Sequence, residues 1–277
     1  MKRFVIIVWA AAQLAGCATP ARQSETLLRS PPEIVRVQSL SHVPFVEQQE
    51  GYCGPATLTM AMLAAGRDVS VDEIAPDVYT PGKKGSLQLD LVSATRRRGM
   101  MAVQIESMQD LLREVAIGHP VIVLQNLGVS WYPRWHYALV TGYDLDREEV
   151  ILHSGPEAFK RERMRRFERA WGLGEYWGLV VLPPDRLAAS AGELAHMKGA
   201  AGLEQAGRVH EAGRAYAKIL ERYPESLGAL VGLGNIAFKK NQRLRAVQYL
   251  RKAAKIHPES IVARHNLAIA EESLKRN

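Results

Sequence analysis

Cys53 stands in the run Gln48-Gln49-Glu50-Gly51-Tyr52-Cys53-Gly54-Pro55-Ala56, ahead of an apolar stretch that ends at Gly66. Pro55 suits the first turn of a helix and Gly66 suits its end, so the thiol is expected at a helix N-terminus. Unpaired backbone N–H groups and the positive end of the helix dipole favour thiolate there, and thiolate is the nucleophile. A glutamine a few residues upstream can donate its amide to a developing oxyanion, and the Cys53 N–H can supply a second donor. His136 follows 83 residues later, at the start of a β-rich run over 136–143. An imidazole there could take the thiol proton and later return it to a leaving amine. Distance along the chain is no objection, because such pairs meet in space.

These residues need elements to hold them. Besides the Cys53 stretch, residues 87–98 read as an amphipathic helix. Ser107 reads as the N-cap of another, with Asp110 at N3 and an end near Gly118. Strand signals follow at 120–124, 136–143, 149–152 and 177–182. The polar turn Asp144-Leu145-Asp146-Arg147 makes the second and third of these a hairpin. Helices first and sheet later is an α+β order.

The chain has 277 residues, comfortable for two domains, with 47% hydrophobic and 23% charged residues. The net charge of +7 is mild and partly local, in Lys2, Arg3 and 160–169. No aromatic-studded basic motif accompanies it, so a solvated basic surface is expected and nucleic acid is not expected as a partner. The start reads as a lipoprotein signal. Lys2 and Arg3 precede a short apolar region, and Leu14-Ala15-Gly16-Cys17 resembles the lipobox read by the lipoprotein-processing enzymes. Residues 1–16 are then a signal peptide and Cys17 the lipidated residue, because several acyl chains make anchoring stable. Ala18 in place of Asp favours, by the same resemblance, onward transfer to an outer membrane facing the periplasm. Residues 17–33, polar and with three prolines, read as a tether. With Cys17 committed to lipid, Cys53 is the single remaining thiol.

From about Ala188 strand signals vanish. Pro224 and Pro258 lie 34 residues apart, the tetratricopeptide period. In that register Ala212 matches Ala246, Tyr216 matches Leu250 and Ala200 matches Gly234. The first unit fits loosely, since Gly199 replaces the expected Leu. The expectation is two repeats plus a capping helix over 190–277, folding separately from the first domain and recruiting a protein partner.

The motif Gln-x4-Cys-Gly-Pro-Ala, with the later His-Tyr-x3-Thr-Gly-Tyr-Asp, resembles the bacteriocin-processing peptidases that cleave leaders after a double glycine. The resemblance covers about 40–185. The whole layout is similar to envelope lipoproteins that join this domain to tetratricopeptide repeats. It implies a papain-like cysteine peptidase domain over 34–187, with Cys53 as nucleophile, His136 as base and Gln48 as oxyanion donor, Gln49 being the alternative donor. The family places an Asp or Asn after the His hairpin. This chain reads Leu152-His153-Ser154-Gly155-Pro156 there, so Ser154 takes the slot, with His153 beside it. Neither anchors an imidazolium as a carboxylate does. Asp144 and Asp146 fall in the turn at the other end of the hairpin.

The reading is therefore an α+β, papain-like domain followed by an all-α repeat domain. The expected activity is hydrolysis of a peptide bond in a peptide or unfolded protein, by a Cys–His dyad and without a cofactor or a metal. The alternative is a weak or inactive lipoprotein scaffold that binds partners through both domains. A thiol acyltransferase or amidase using the same dyad is a weaker third reading. Trp131, Tyr132 and Trp135, ahead of His136, could wall a cleft or simply pack a loop.

Overall fold

The computed structural model describes residues 21–276. Cys17 and the expected signal peptide lie outside them. The tether expected over 17–33 is described from its fifth residue on, and it differs from that expectation. Helix α1 (Arg22–Arg29) forms there and docks on the first domain. The buried carboxylate of Glu168 accepts the N–H groups of Gln23 (3.0 Å) and Ser24 (2.6 Å), so a distant side chain caps this helix. The polar composition suggested a spacer because that cap is invisible in the local sequence.

Helix α2 (Cys53–Ala64) is buried from Gly54 to Met62. It is apolar all round rather than on one face, as a central helix must be. Around it come α3 (Val71–Val78), a small hairpin of β2 (Tyr79–Thr80) and β3 (Gly85–Ser86), and α4 (Gln88–Arg97). Helix α5 (Met108–Ala116) starts at Ser107, whose hydroxyl accepts the N–H of Asp110.

The sheet has seven antiparallel strands. They are β1 (Val37–Ser39), β4 (Met101–Ile105), β5 (Val121–Asn126), β6 (Trp135–Asp144), β7 (Glu149–Ser154), β8 (Glu157–Arg163) and β9 (Gly178–Leu182). Their order is β4-β9-β5-β6-β7-β8, with β1 paired to the end of β6. Strands β5, β6 and β9 are buried almost throughout, which explains their continuous apolar runs. Strand β8 is an edge strand with the sequence Glu-Ala-Phe-Lys-Arg-Glu-Arg, and charge suits an edge. Helix α6 (Met164–Gly172) follows it and brings Phe167 and Trp171 into the core.

Five helices complete the chain: α7 (Glu193–Gln205), α8 (Val209–Arg222), α9 (Leu227–Lys239), α10 (Arg243–Ile256) and α11 (Ile261–Lys275). The positions matched by the 34-residue period are buried at the helix crossings. A Cβ on Gly232 would press on the Tyr216 ring, and one on Gly234 would lie 2.6 Å from Leu250. Close helix approach explains these glycines.

The expectation of separate folding needs correction. One hydrophobic core runs from the sheet into α7, α8 and α9, and includes Met101, Ala200, Leu203 and Tyr216. A Cβ on Gly199 would sit 3.1 Å from the methyl of Met101 on β4. The first unit departs from the repeat pattern at Gly199 because a strand, rather than another repeat, packs there. The buried Glu114 adds a polar joint. It meets His119 Nδ1 at 2.8 Å and accepts the backbone N–H (2.7 Å) and hydroxyl (2.6 Å) of Ser190 in the connection. Burial alone would push this carboxyl up, but these hydrogen bonds outweigh it and hold it below its ordinary value.

Candidate active site

Cys53 is the first residue of α2, and no side chain caps that helix end. Its first turn carries no acidic residue, and Pro55 removes an N–H that would otherwise need a partner. The open N–H groups are thus left for whatever the thiol becomes or binds. Gly51, at φ +78°, supplies the left-handed turn into the helix. Gly54 is needed for close approach, since a Cβ there would collide with the Ser86 side chain on β3.

Cys53 and His136 line the same cavity, of about 860 Å³. Gln48, Gly155 and Trp135 share its wall, and so does the segment from Lys83 to Gln88. Gln48 is held at three points, two of them on its side chain. Its Oε1 accepts the N–H of Gly155 (3.0 Å), its backbone N–H donates to the Gly155 carbonyl (3.3 Å), and its Nε2 donates to the Thr57 hydroxyl (3.1 Å). That hydroxyl donates in turn to the carbonyl of Cys53. Gln48 is therefore tied both to the opening turn of α2 and to the residue after Ser154. One amide hydrogen remains beyond the bond to Thr57. Gln49 is exposed, and no side-chain hydrogen bond fixes it among the described residues. Of the two glutamines, only Gln48 is pre-positioned.

His136 sits near the start of β6, directly opposite Gln125 on β5. Its Nε2 lies 2.9 Å from Oγ of Ser154, at the end of β7 where the β7–β8 register shifts. Such irregularities re-aim side chains beside sites. His153 points to the other face of β7. Its Nε2 donates to the Val43 carbonyl (3.3 Å) and its Nδ1 accepts the Phe159 N–H (3.1 Å). Phe45 and Phe159 sandwich the ring edge-on. His153 is therefore a satisfied core histidine and not a partner of His136. Asp144 is eight residues further along β6, about 26 Å at the rise of a strand. Its carboxylate accepts the N–H groups of Asp146 (3.1 Å) and Arg147 (3.0 Å) and pairs with Arg161 on β8 (3.7 Å), so it organises the turn end of the hairpin.

The electrostatics run against a preformed ion pair. Burial pushes the Cys53 thiol up, although the backbone N–H groups of Tyr137, Gly54 and Cys53 itself pull it down. Burial, then Lys160 and Arg134, depress the His136 imidazolium to about 4. The helix N-terminus alone led to the opposite expectation for the thiol. At both groups desolvation wins, and the resting pair is neutral.

Sequence reasoning missed the wall from Lys83 to Gln88. The signal was the turn-forming Pro81-Gly82 pair ahead of two lysines, which marks a loop but not where it packs. Of the three aromatic residues before His136, Trp135 lines the cavity, while Trp131 and Tyr132 are 84% and 68% exposed.

Residues 40–176 match the model of the peptidase C39-like family, and residues 194–226 and 229–260 match the tetratricopeptide repeat. The chain carries a peptidase C39-like domain followed by tetratricopeptide repeats. The α+β reading with a helical repeat region holds. Three solved structures are similar to the C39-like domain. A protein described as a C39-like peptidase from Bacillus anthracis is 19% identical, with a TM-score of 0.46, over 53% of this chain and 98% of that one. The peptidase domain of Streptococcus ComA, a bifunctional ABC transporter of a quorum-sensing pathway, is 22% identical, with a TM-score of 0.43, over 51% and 99%. A double-glycine-motif protease from an AMS/PCAT transporter, in complex with its leader peptide, is 19% identical, with a TM-score of 0.41, over 53% and 95%. No curated protein is significantly similar to the chain. The C39-like domain supports a cysteine peptidase.

Proposed function

We propose that the chain is a membrane-anchored periplasmic peptidase that hydrolyses peptide bonds with Cys53 and His136. The observation that carries this reading is the cavity shared by Cys53, His136 and Gln48, with Ser154 on the second nitrogen of His136. With Ser154 Oγ accepting from Nε2–H, Nδ1 is free to take a proton. The sulfur of Cys53 attacks the scissile carbonyl carbon as its proton passes to Nδ1. The oxyanion is held by Nε2 of Gln48 and the N–H of Cys53. The tetrahedral species collapses, the C–N bond breaks, and His136 protonates the departing amine. Water, deprotonated by His136, then attacks the thioester and releases the acid. Because the resting pair is neutral, proton transfer accompanies the attack.

Anchoring at Cys17 rests on the lipobox, and it limits substrates to peptides or unfolded segments within reach of the membrane. The repeats are assigned to holding a protein partner. The rival reading, an inactive scaffold, draws on the missing carboxylate beside His136.

Iodoacetamide labelling of Cys53 and turnover of a peptide pool separate the two. The peptidase reading expects Cys53→Ala to abolish turnover without unfolding, and His136→Ala to slow labelling near neutral pH. A Cys53 that titrates like a free thiol and ignores His136→Ala leaves the scaffold. Intact mass and detergent partitioning test the anchor, with Cys17→Ser expected to lose both the acyl mass and membrane association.

A further inference from the structure

A second cavity, of about 660 Å³, is lined by Ser154 and Gln125, which flank His136 from β7 and β5. Six cationic side chains and one carboxylate, Glu162, line it. Three of the cations are neutralised locally. Lys160 pairs with Glu157 (2.7 Å), Arg166 with Glu162 (3.1 Å) and Arg161 with Glu149 (3.1 Å). Arg134, Arg163 and Arg169 have no ion-pair partner among the described residues.

Behind the chamber wall a buried donor is unpaired. Gln125 is 1% exposed and lines this cavity, and its Nε2 has no hydrogen-bond partner. A buried amide without an acceptor is costly, and native folds rarely leave one. Three exposed, unpaired cations around one space favour an occupant that carries negative charge.

The chamber is joined to the cleft by structure. Gln125 and Ser154 of the chamber flank His136 of the cleft, and Leu173 lines both cavities. A chain lying across the His136 end of the cleft therefore comes within reach of the chamber.

We propose that this chamber binds the carboxylates of an acidic stretch in the peptide substrate, beside the Ser154 edge of His136. The inference rests on the peptidase reading for the word substrate, but the binding itself does not need turnover. A bound carboxylate would also offset the Lys160 and Arg134 charges that bear on His136, so an acidic substrate would supply part of the charge that an Asp in place of Ser154 would bring.

The test is binding to the full chain carrying Cys53→Ala. The probes are a fluorescent glutamate-rich peptide and its glutamine counterpart. The acidic peptide should bind about tenfold more tightly, which is ~1.4 kcal/mol. Arg134→Gln with Arg169→Gln should erase that preference. Lys252→Gln with Lys255→Gln, an equal loss of charge on the repeats, should keep it. Equal affinity for the two peptides overturns the proposal, and so does equal loss in both double variants, which would mean net charge alone. Glutarate competing as strongly as the peptide would also overturn it, because the chamber would then be a small-anion site. Labelling of Cys53 in the wild-type chain reports on the peptidase reading separately.

Discussion

Ser154 Oγ lies 2.9 Å from Nε2 of His136, where a carboxylate would sit in a site of this kind. A hydroxyl can fix the ring and its tautomer, but it brings no charge to an imidazolium. That is consistent with an imidazole held near 4 by burial and by Lys160 and Arg134. Ser154→Asp should therefore raise the His136 pKa by about 1–3 units, the usual effect of an adjacent opposite charge. Imidazole NMR shifts across pH would read this, and Cys53 labelling near neutral pH should quicken. Ser154→Ala removes one hydrogen bond, worth about 1 kcal/mol, so turnover should fall roughly fivefold while the fold persists. An unchanged His136 titration in Ser154→Asp would show that the two side chains do not interact in solution.

Gln48 offers a different kind of split. Its donor role exists only once an oxyanion forms, so Gln48→Ala should lower turnover by about 10²-fold or more. Iodoacetamide labelling creates no oxyanion and should change little. Gln49→Ala should leave both nearly untouched, because that side chain is exposed and unanchored. Equal losses in labelling and turnover for Gln48→Ala would mean that its bonds to Thr57 and Gly155 merely hold α2 in place.

Acid stability carries the signature of His136. Its folded pKa of about 4 lies below the ordinary 6.5, so the unfolded chain takes up this proton first as pH falls. The neutral imidazole contributes its full stability above about 6.5, and that contribution is lost as pH drops towards 4. The loss is at most about 3 kcal/mol. Urea midpoints of wild type and His136→Gln should diverge in slope between those values, with the variant falling less. His153 and His196, also lowered first by burial, remain in both proteins and cancel.

Much of this was legible from residue types. The Cys53 helix, the His136 strand and the Pro224–Pro258 period announce themselves because helix punctuation and repeat spacing are local signals. Strand β4 did not, since its partner β9 lies far along the chain and nothing nearby marks the pairing. Strand β8 did not either, because edge charges mimic a solvated surface. The thiol was misjudged for a related reason. The dipole that lowers its pKa can be read from Cys53-Gly54-Pro55, whereas the burial that raises it comes from parts of the chain distant in sequence.

The contact between Gly199 and Met101 gives the last prediction. Composition alone argues that a chain cut near Asp185 should leave an intact first domain. The structure argues otherwise, because α7 covers β4 and α4, and Gly202 lies against Arg96. The ion pair of Asp185 with Arg214 (2.5 Å) and the bond from Arg208 to the Arg97 carbonyl (2.5 Å) cross the same joint. Truncation would expose Met101 and its neighbours and leave Glu114 without Ser190. The shortened chain should therefore unfold at lower temperature and expose apolar surface. Gly199→Leu tests the joint without removing anything. It restores the residue that the repeat pattern expects, yet it overpacks against Met101 and should cost about 1–3 kcal/mol. Adding Met101→Ala should recover part of that loss, as coupled neighbours do. Thermal and urea unfolding of the four full-length proteins would close the cycle. A Gly199→Leu chain as stable as wild type would mean that α7 does not rest on β4.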